Sequence, residues 1–204
     1  MPAMLGKLRE CELTWLAIMT PNLSVIIITK NAAEQIKTCL ESVKFADEII
    51  VLDSGSTDTT VSICQQYTDK VFVTDWPGYG IQKNRAIAKA TGKWILSLDA
   101  DEHLTLELQQ TIQQIIKTDS EDAAYALHRR SSFCGHYIKY GDWARDYCLR
   151  LFKAGQAKFE EIPVHERLMV SGKTAKIKGI LLHDSYPDLA SMLAKMNSYS
   201  SLGA

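Results

Sequence analysis

Two acidic turns and one cationic turn carry the residues best suited to chemistry. The first is Asp99-Ala100-Asp101-Glu102, directly after the apolar run Trp94-Ile-Leu-Ser-Leu98. Two aspartates at i and i+2 past a buried strand can turn toward one hard cation. A divalent ion such as Mg2+ or Mn2+ takes oxygen ligands and shares its shell with substrate phosphates. A solvated strand end before a helix uses the same residues, so the motif alone decides little. The second turn is Asp53-Ser54-Gly55-Ser56-Thr57-Asp58. Asp53 can accept hydrogen bonds from a base or ribose, Gly55 permits close backbone approach, and Ser56 or Thr57 can cap the next helix. The third, Gly80-Ile-Gln-Lys83-Asn84-Arg85, sets cations near a helix N-terminus, where phosphates bind well. Lys83 and Arg85 taken singly are expected to snorkel to solvent.

The elements that must position these turns follow from hydrophobic patterning. Leu23–Thr29 and Glu48–Leu52 are apolar runs that suit strands buried on both faces of a parallel sheet. Asn31 is expected to cap a helix carrying Ala32, Ile36, Cys39, Leu40 and Val43. A helix with Val61, Cys64 and Tyr67, a strand Lys70–Val73, a helix near Gly80–Ala90 and a strand Trp94–Leu98 come next, and a helix over Thr105–Lys117 ends the first half. Short connections between alternating strands and helices predict an open α/β sheet with right-handed crossovers, whose ligands bind beyond the carboxyl ends of the strands. Both acidic turns fall at that edge.

From Ser120 the texture changes. Ala123–His128, Tyr147–Phe152 and Ile177–Leu182 are strand candidates, and residues 130–146 hold five aromatics or histidines, the makings of a binding wall. Asp188–Tyr199 reads as a helix with Leu189, Met192, Leu193 and Met196 on one stripe, expected to be core or interface. A single domain over 21–204 is expected, in two halves at 21–117 and 118–204, preceded by a leader at 1–20.

Composition excludes several classes. The 204 residues are 46% hydrophobic and 23% charged, which rules out a disordered or fibrous chain. A net charge of −1 gives no case for a nucleic-acid partner. Five scattered cysteines without a CxxC pair fit a reducing compartment better than a disulfide or zinc framework. The apolar patch Leu13–Met19 is too short to span a bilayer. The expected location is cytoplasmic, with peripheral association at the inner face of the membrane left open.

Leu23-Ser-Val-Ile-Ile-Ile-Thr29, the Asp53–Asp58 turn, Gly80 to Gly92 and Leu98-Asp-Ala-Asp-Glu102 together resemble the signature of family 2 glycosyltransferases with the GT-A fold. Val164-His-Glu166 and His183-Asp-Ser-Tyr186 look like the bacterial subgroup that adds glucose, in β-1,4 linkage, to the inner-core heptose of lipopolysaccharide. The resemblance implies an inverting enzyme using Mg2+ or Mn2+, a UDP-sugar donor and a glycan or lipopolysaccharide-core acceptor. It implies an open, mostly parallel central sheet with a smaller acceptor-side β region, with 21–117 as the nucleotide-sugar-binding half and 118–204 as the acceptor-side half. It assigns Thr29 and Asp53, with Gly55 and Lys83 beside them, to the nucleotide-sugar site. Asp99 would meet ribose or metal, Asp101 would be the main metal ligand with His183 a second, and Glu166 would be the base. A strand-end histidine satisfied by its neighbours is the competing reading of His183. Asp184, Glu160 and Glu161 compete with Glu166, and Arg150 and Lys153 are candidates to meet phosphate or hold the acceptor loop. Transfer to a polyprenyl phosphate or another glycan, and nucleotide-sugar binding without catalysis, are the alternative functions.

Overall fold

Seven consecutive residues, Leu23–Thr29, are buried and form the central strand β1. Strand β2 (Glu48–Asp53) flanks it on one side and β4 (Trp94–Asp99) on the other, both parallel to it. Register sets Thr29 opposite Asp53 and Ile28 opposite Asp99, so the ends of three strands deliver their polar residues to one line. A short β3 (Val71–Val73) extends the sheet beyond β2. The crossovers are α1 (Ile36–Ser42), α2 (Thr60–Cys64) and α3 (Tyr79–Ile87). Alternate residues of β1 feed two cores. Val25 and Ile27 pack with Ile36 and Leu40, whereas Ile26 and Ile28 pack with Ala86 and Phe152. The computed structural model describes residues 22–118, 120–141, 145–162 and 166–202. The leader expected at 1–20 lies outside them.

The second half joins the same sheet. After β5 (Glu102–Leu104) and α4 (Leu106–Thr118) come β6 (Ala124–Phe133), β7 (His136–Tyr137), β8 (Tyr147–Lys153), β9 (Ala157–Phe159), β10 (Leu168–Val170), β11 (Thr174–Tyr186) and α5 (Leu189–Leu202). Strand order is β3-β2-β1-β4-β8-β6-β11-β5, with β7 paired to β6. The class is the expected α/β GT-A architecture. Antiparallel pairings enter where β8 meets β4 and β6, where β7 meets β6 and where β5 meets β11, while β6 and β11 are parallel. Strands β9 and β10 form a separate antiparallel pair.

Asn31 does not cap a helix. It sits at φ +49°, its side-chain oxygen accepts from Thr57 N at 2.8 Å, and α1 starts only at Ile36. Its own N–H donates to Ser56 Oγ at 2.8 Å, and Ala32 N donates to Thr60 Oγ1 at 2.8 Å. The turns after β1 and β2 are thereby laced together. Nor do Ser56 and Thr57 cap α2; its N-cap residue is Thr59, which makes no side-chain cap bond, and Asp58 just before it accepts from Thr60 N at 3.0 Å. On α5, Leu189, Leu193 and Met196 are exposed, so the stripe is not core.

Strand β11 is interrupted by a register shift between Lys176 and Ile180. There Gly179 has φ +95°, and a Cβ on it would lie 2.5 Å from the Leu108 backbone of α4. Gly179→Ala is therefore expected to lose about 2–3 kcal/mol, read as a lower urea midpoint with an unchanged slope.

Candidate functional site

The turn after β4 is built around Glu102. Its Oε2 accepts from Asp99 N at 3.0 Å, folding the acidic tetrapeptide back on itself. Its Oε1 accepts from Arg150 Nη2 at 2.7 Å, and the same nitrogen donates to Asp99 Oδ2 at 2.6 Å. Arg129 Nη1 lies 3.5 Å from Glu102 and its Nε donates to Asp146 at 2.7 Å. On the other side, Lys83 Nζ lies 3.0 Å from Asp99 Oδ1 and 2.7 Å from Glu166 Oε1. The result is a continuous chain of alternating charge, Glu166–Lys83–Asp99–Arg150–Glu102–Arg129–Asp146.

Lys83 does not snorkel; its side chain is only 2% exposed. Arg85 does reach the surface, paired with Asp75 at 2.7 Å. Helix α3 is held in place by its polar residues. Gln82 Nε2 donates to Ser54 Oγ at 3.1 Å and Thr74 Oγ1 at 2.7 Å. Asn84 donates to Phe159 O and accepts from Phe159 N, both at 2.9 Å, as a neighbouring strand would. A Cβ on Gly80 would lie 1.9 Å from Glu160 O. That contact brings α3 against the loop between β9 and β10, which is closed by Glu160 N donating to Arg167 O at 2.9 Å and carries Glu166. Val164 and His165 of the motif lie outside the described residues.

Asp99 and Asp101 part company. Burial alone would raise the Asp99 carboxyl, but the charges of Arg150 and Lys83 outweigh it and hold the group well below the usual carboxylate range. Asp99 is thus engaged by two cations. Asp101 turns instead to His183, with Oδ2 3.3 Å from Nε2. The other ring nitrogen, Nδ1, is held by Ser131 Oγ at 3.0 Å and Ser185 Oγ at 2.9 Å. Either hydroxyl can accept from Nδ1–H, which leaves Nε2 as a lone-pair donor. Two ligands about 2.1 Å from a six-coordinate magnesium ion, at right angles, lie about 3.0 Å apart. At 3.3 Å the Asp101–His183 pair is slightly wider than that spacing, and its donor set fits a cation that keeps its other positions for water or phosphate. No cluster of three or more His, Cys, Asp or Glu suited to a metal occurs among the described residues.

At the turn after β2, Asp53 is fully buried. Its Oδ2 accepts from Gly55 N at 2.9 Å and Ser56 N at 2.8 Å, and Oδ1 accepts from the Ser56 hydroxyl. The carboxylate therefore shapes the turn and does not face solvent. Gly55, at φ +78°, has nothing within 4 Å of where a Cβ would stand. Thr29 Oγ1, at the end of β1, is buried without a partner. Lys153 donates to Ser120 O, away from the acidic turn. Of the competing bases, Asp184 accepts from Tyr137 OH at 2.7 Å and Glu161 pairs with Lys158 at 3.0 Å. A cavity of about 470 Å3 lined by Lys44, Glu48, Tyr67 and Lys70 opens at the other end of β2, where Glu48 is satisfied by Ser24, Lys70 and Thr91.

Residues 24–173 match the description Glycosyl transferase family 2. The chain belongs to that family. Among similar family members, a protein of Rickettsia bellii named as an uncharacterized glycosyltransferase is 32% identical, over 90% of this chain and 66% of its own. A protein of Rhizobium meliloti named lipopolysaccharide core biosynthesis glycosyltransferase LpsC is 29% identical, over 89% of this chain and 70% of its own. The chain thus spans about two thirds of the length of these relatives. The crystal structure of S. aureus TarS shares the fold at a TM-score of 0.56 and 17% identity, over 80% of this chain and 36% of TarS. TarS 1-349 in complex with UDP gives 0.53 and 16%, over 82% and 60%. No helix among the described residues is long and apolar enough to cross a membrane.

Sequence patterning did not reveal Glu102, Gln82, Asn84 or Ser131 as parts of the site. Glu102 had a local signal, since a carboxylate three residues after a strand-end aspartate can bond back to its N–H. Asn84 and Ser131 act across 75 and 52 residues, and Gln82 bridges the separate turns at Ser54 and Thr74, so none of them leaves a local signal. Arg150→Met is expected to destabilise the family 2 domain by about 3–5 kcal/mol, because Asp99 and Glu102 lose a buried partner. Asp99 ionises more readily folded than unfolded, so its stabilisation is present above the unfolded carboxyl value near 3.9 and is lost as pH falls below it. Denaturation titrations at descending pH should accordingly show a shallower acid loss in Arg150→Met than in the unaltered chain.

Proposed function

We propose that this chain is an inverting, metal-dependent glycosyltransferase that moves a sugar, with glucose from UDP-glucose as the leading donor, onto a lipopolysaccharide inner-core acceptor. The observation that carries the reading is the convergence at one end of the sheet of the Asp101–His183 pair, whose aspartate belongs to the acidic turn, and of Glu166, which is tied to that turn through Lys83 and Asp99. Family membership supports glycosyl transfer, and the name of the Rhizobium relative supports the acceptor class. The UDP held by the TarS fold neighbour is in keeping with the donor class.

The residues divide the work as inversion requires. Glu166 accepts the proton of the acceptor hydroxyl as that oxygen attacks the anomeric carbon and the bond to the nucleotide breaks. Lys83, at the second turn of α3, offers a cation where diphosphate charge develops. Thr29 supplies an unpartnered hydroxyl at the strand end, in a place suited to the nucleoside. Asp101 and His183 hold the Mg2+ or Mn2+, which when bound offsets charge on the departing diphosphate. Glu102 and Arg150 keep the turn rigid while these groups act.

Asp101→Ala is expected to abolish both transfer and the metal dependence of UDP binding, as measured by calorimetry with and without Mn2+. Glu166→Gln should still bind UDP but lose about 10^2–10^4-fold in turnover, followed as glucose transfer to a heptose-terminated core oligosaccharide. Near-normal turnover in that variant would move the base elsewhere.

A further inference from the structure

Lys83 is shared between two carboxylates with unequal alternatives. Asp99 has a second cation, Arg150, at 2.6 Å. Glu166 has no ion-pair partner other than Lys83 among the described residues. The ammonium donates to Glu166 Oε1 at 2.7 Å, so one of the two oxygens that could take a proton from an incoming hydroxyl is engaged. The lysine is buried, so giving up Glu166 without a replacement partner would leave buried charge uncompensated. A diphosphate arriving beside α3 brings more negative charge than one carboxylate and accepts charge-assisted bonds equally well. Backbone motion is not required. Gln82 and Asn84 fix α3, and the Asn84 bonds to Phe159 fix the foot of the Glu166 loop.

We infer that Lys83 couples donor binding to readiness of the base by exchanging partners. Before the donor arrives it neutralises Glu166. Once a nucleoside diphosphate sugar is bound it turns to the diphosphate, Asp99 remains paired with Arg150, and Glu166 is freed for the acceptor hydroxyl. Binding is thereby ordered, donor before acceptor. The free carboxylate appears only when there is a sugar to transfer, which also limits its exposure to water while the site is empty. This inference rests on the reading of the chain as a nucleotide-sugar transferase with Glu166 as base.

A double-mutant cycle on UDP affinity, measured by calorimetry at fixed Mn2+, tests it without relying on turnover. If Glu166 competes with the diphosphate for Lys83, Glu166→Gln should tighten UDP binding by about 3–10-fold and Lys83→Met should weaken it. In the Lys83→Met background the gain from Glu166→Gln should vanish. A gain that survives there is plain charge removal and overturns the exchange, as does an affinity in Glu166→Gln within twofold of the unaltered chain. Because Lys83→Met leaves buried carboxylates short of a cation, a second measurement avoids it. In protein labelled with 15N-lysine, the Nζ signal of Lys83, assigned through its loss in the charge-preserving Lys83→Arg, should shift on saturation with UDP. An unmoved signal in a protein that binds UDP overturns the exchange alone. No UDP binding by the unaltered chain overturns the donor reading and the exchange together.

Discussion

The buried pairing of Asp99 with Lys83 and Arg150 is the constraint around which the site is arranged. It joins three separate parts of the fold: β4 supplies the carboxylate, α3 the ammonium and β8 the guanidinium. Glu102 then ties the guanidinium back to the turn that follows β4. A network of this kind adds little net stability, because desolvation of each ion consumes most of the Coulombic gain. Its consequence is positional. Every charge is met by a partner on another part of the fold, so β4, α3 and β8 are held in one geometry.

The same network gathers cations at one end of the sheet in a chain whose net charge is −1. The cations are placed inside, paired and oriented, and do not appear as a basic surface. Overall charge therefore says little here about ligand preference. What matters is whether a buried cation has a partner it can exchange. Arg150, bound to two carboxylates through one nitrogen, has little freedom to do so, whereas Lys83 carries a flexible stem and a point charge without a fixed fork.

Much of the fold was legible because β1, β2 and β4 are continuous apolar runs, and their lengths and order follow directly from them. The acidic turns were legible because they sit where those runs stop. What escaped has a common physical origin. Strands β5, β9 and β10 are three residues each, too short to show a period, and they exist because neighbouring strands offer them a ladder. The burial of Lys83 escaped because its partners lie 16 and 83 residues away, and a lysine on a helix is ordinarily solvated unless such partners are known. Asn31 misled for a related reason. Its amide found a better acceptor role toward Thr57 in the next turn than at the start of its own helix.

The division between Asp99 and Asp101 shows how spacing alone can mislead and structure can refine it. Two aspartates at i and i+2 on an extended strand would share a face. Here Asp99 is the last residue of β4, and the chain turns at Ala100, so the second carboxylate leaves the strand direction. The first is then drawn inward by two cations, and the second meets a histidine on the far strand β11. For Asp99 to join a metal ion it would have to yield contacts of 2.6 and 3.0 Å in a buried setting. Asp101 has no comparable contact to give up. A cation entering this site would therefore meet Asp101 and His183 first, and Asp99 would act on it through the geometry of the turn.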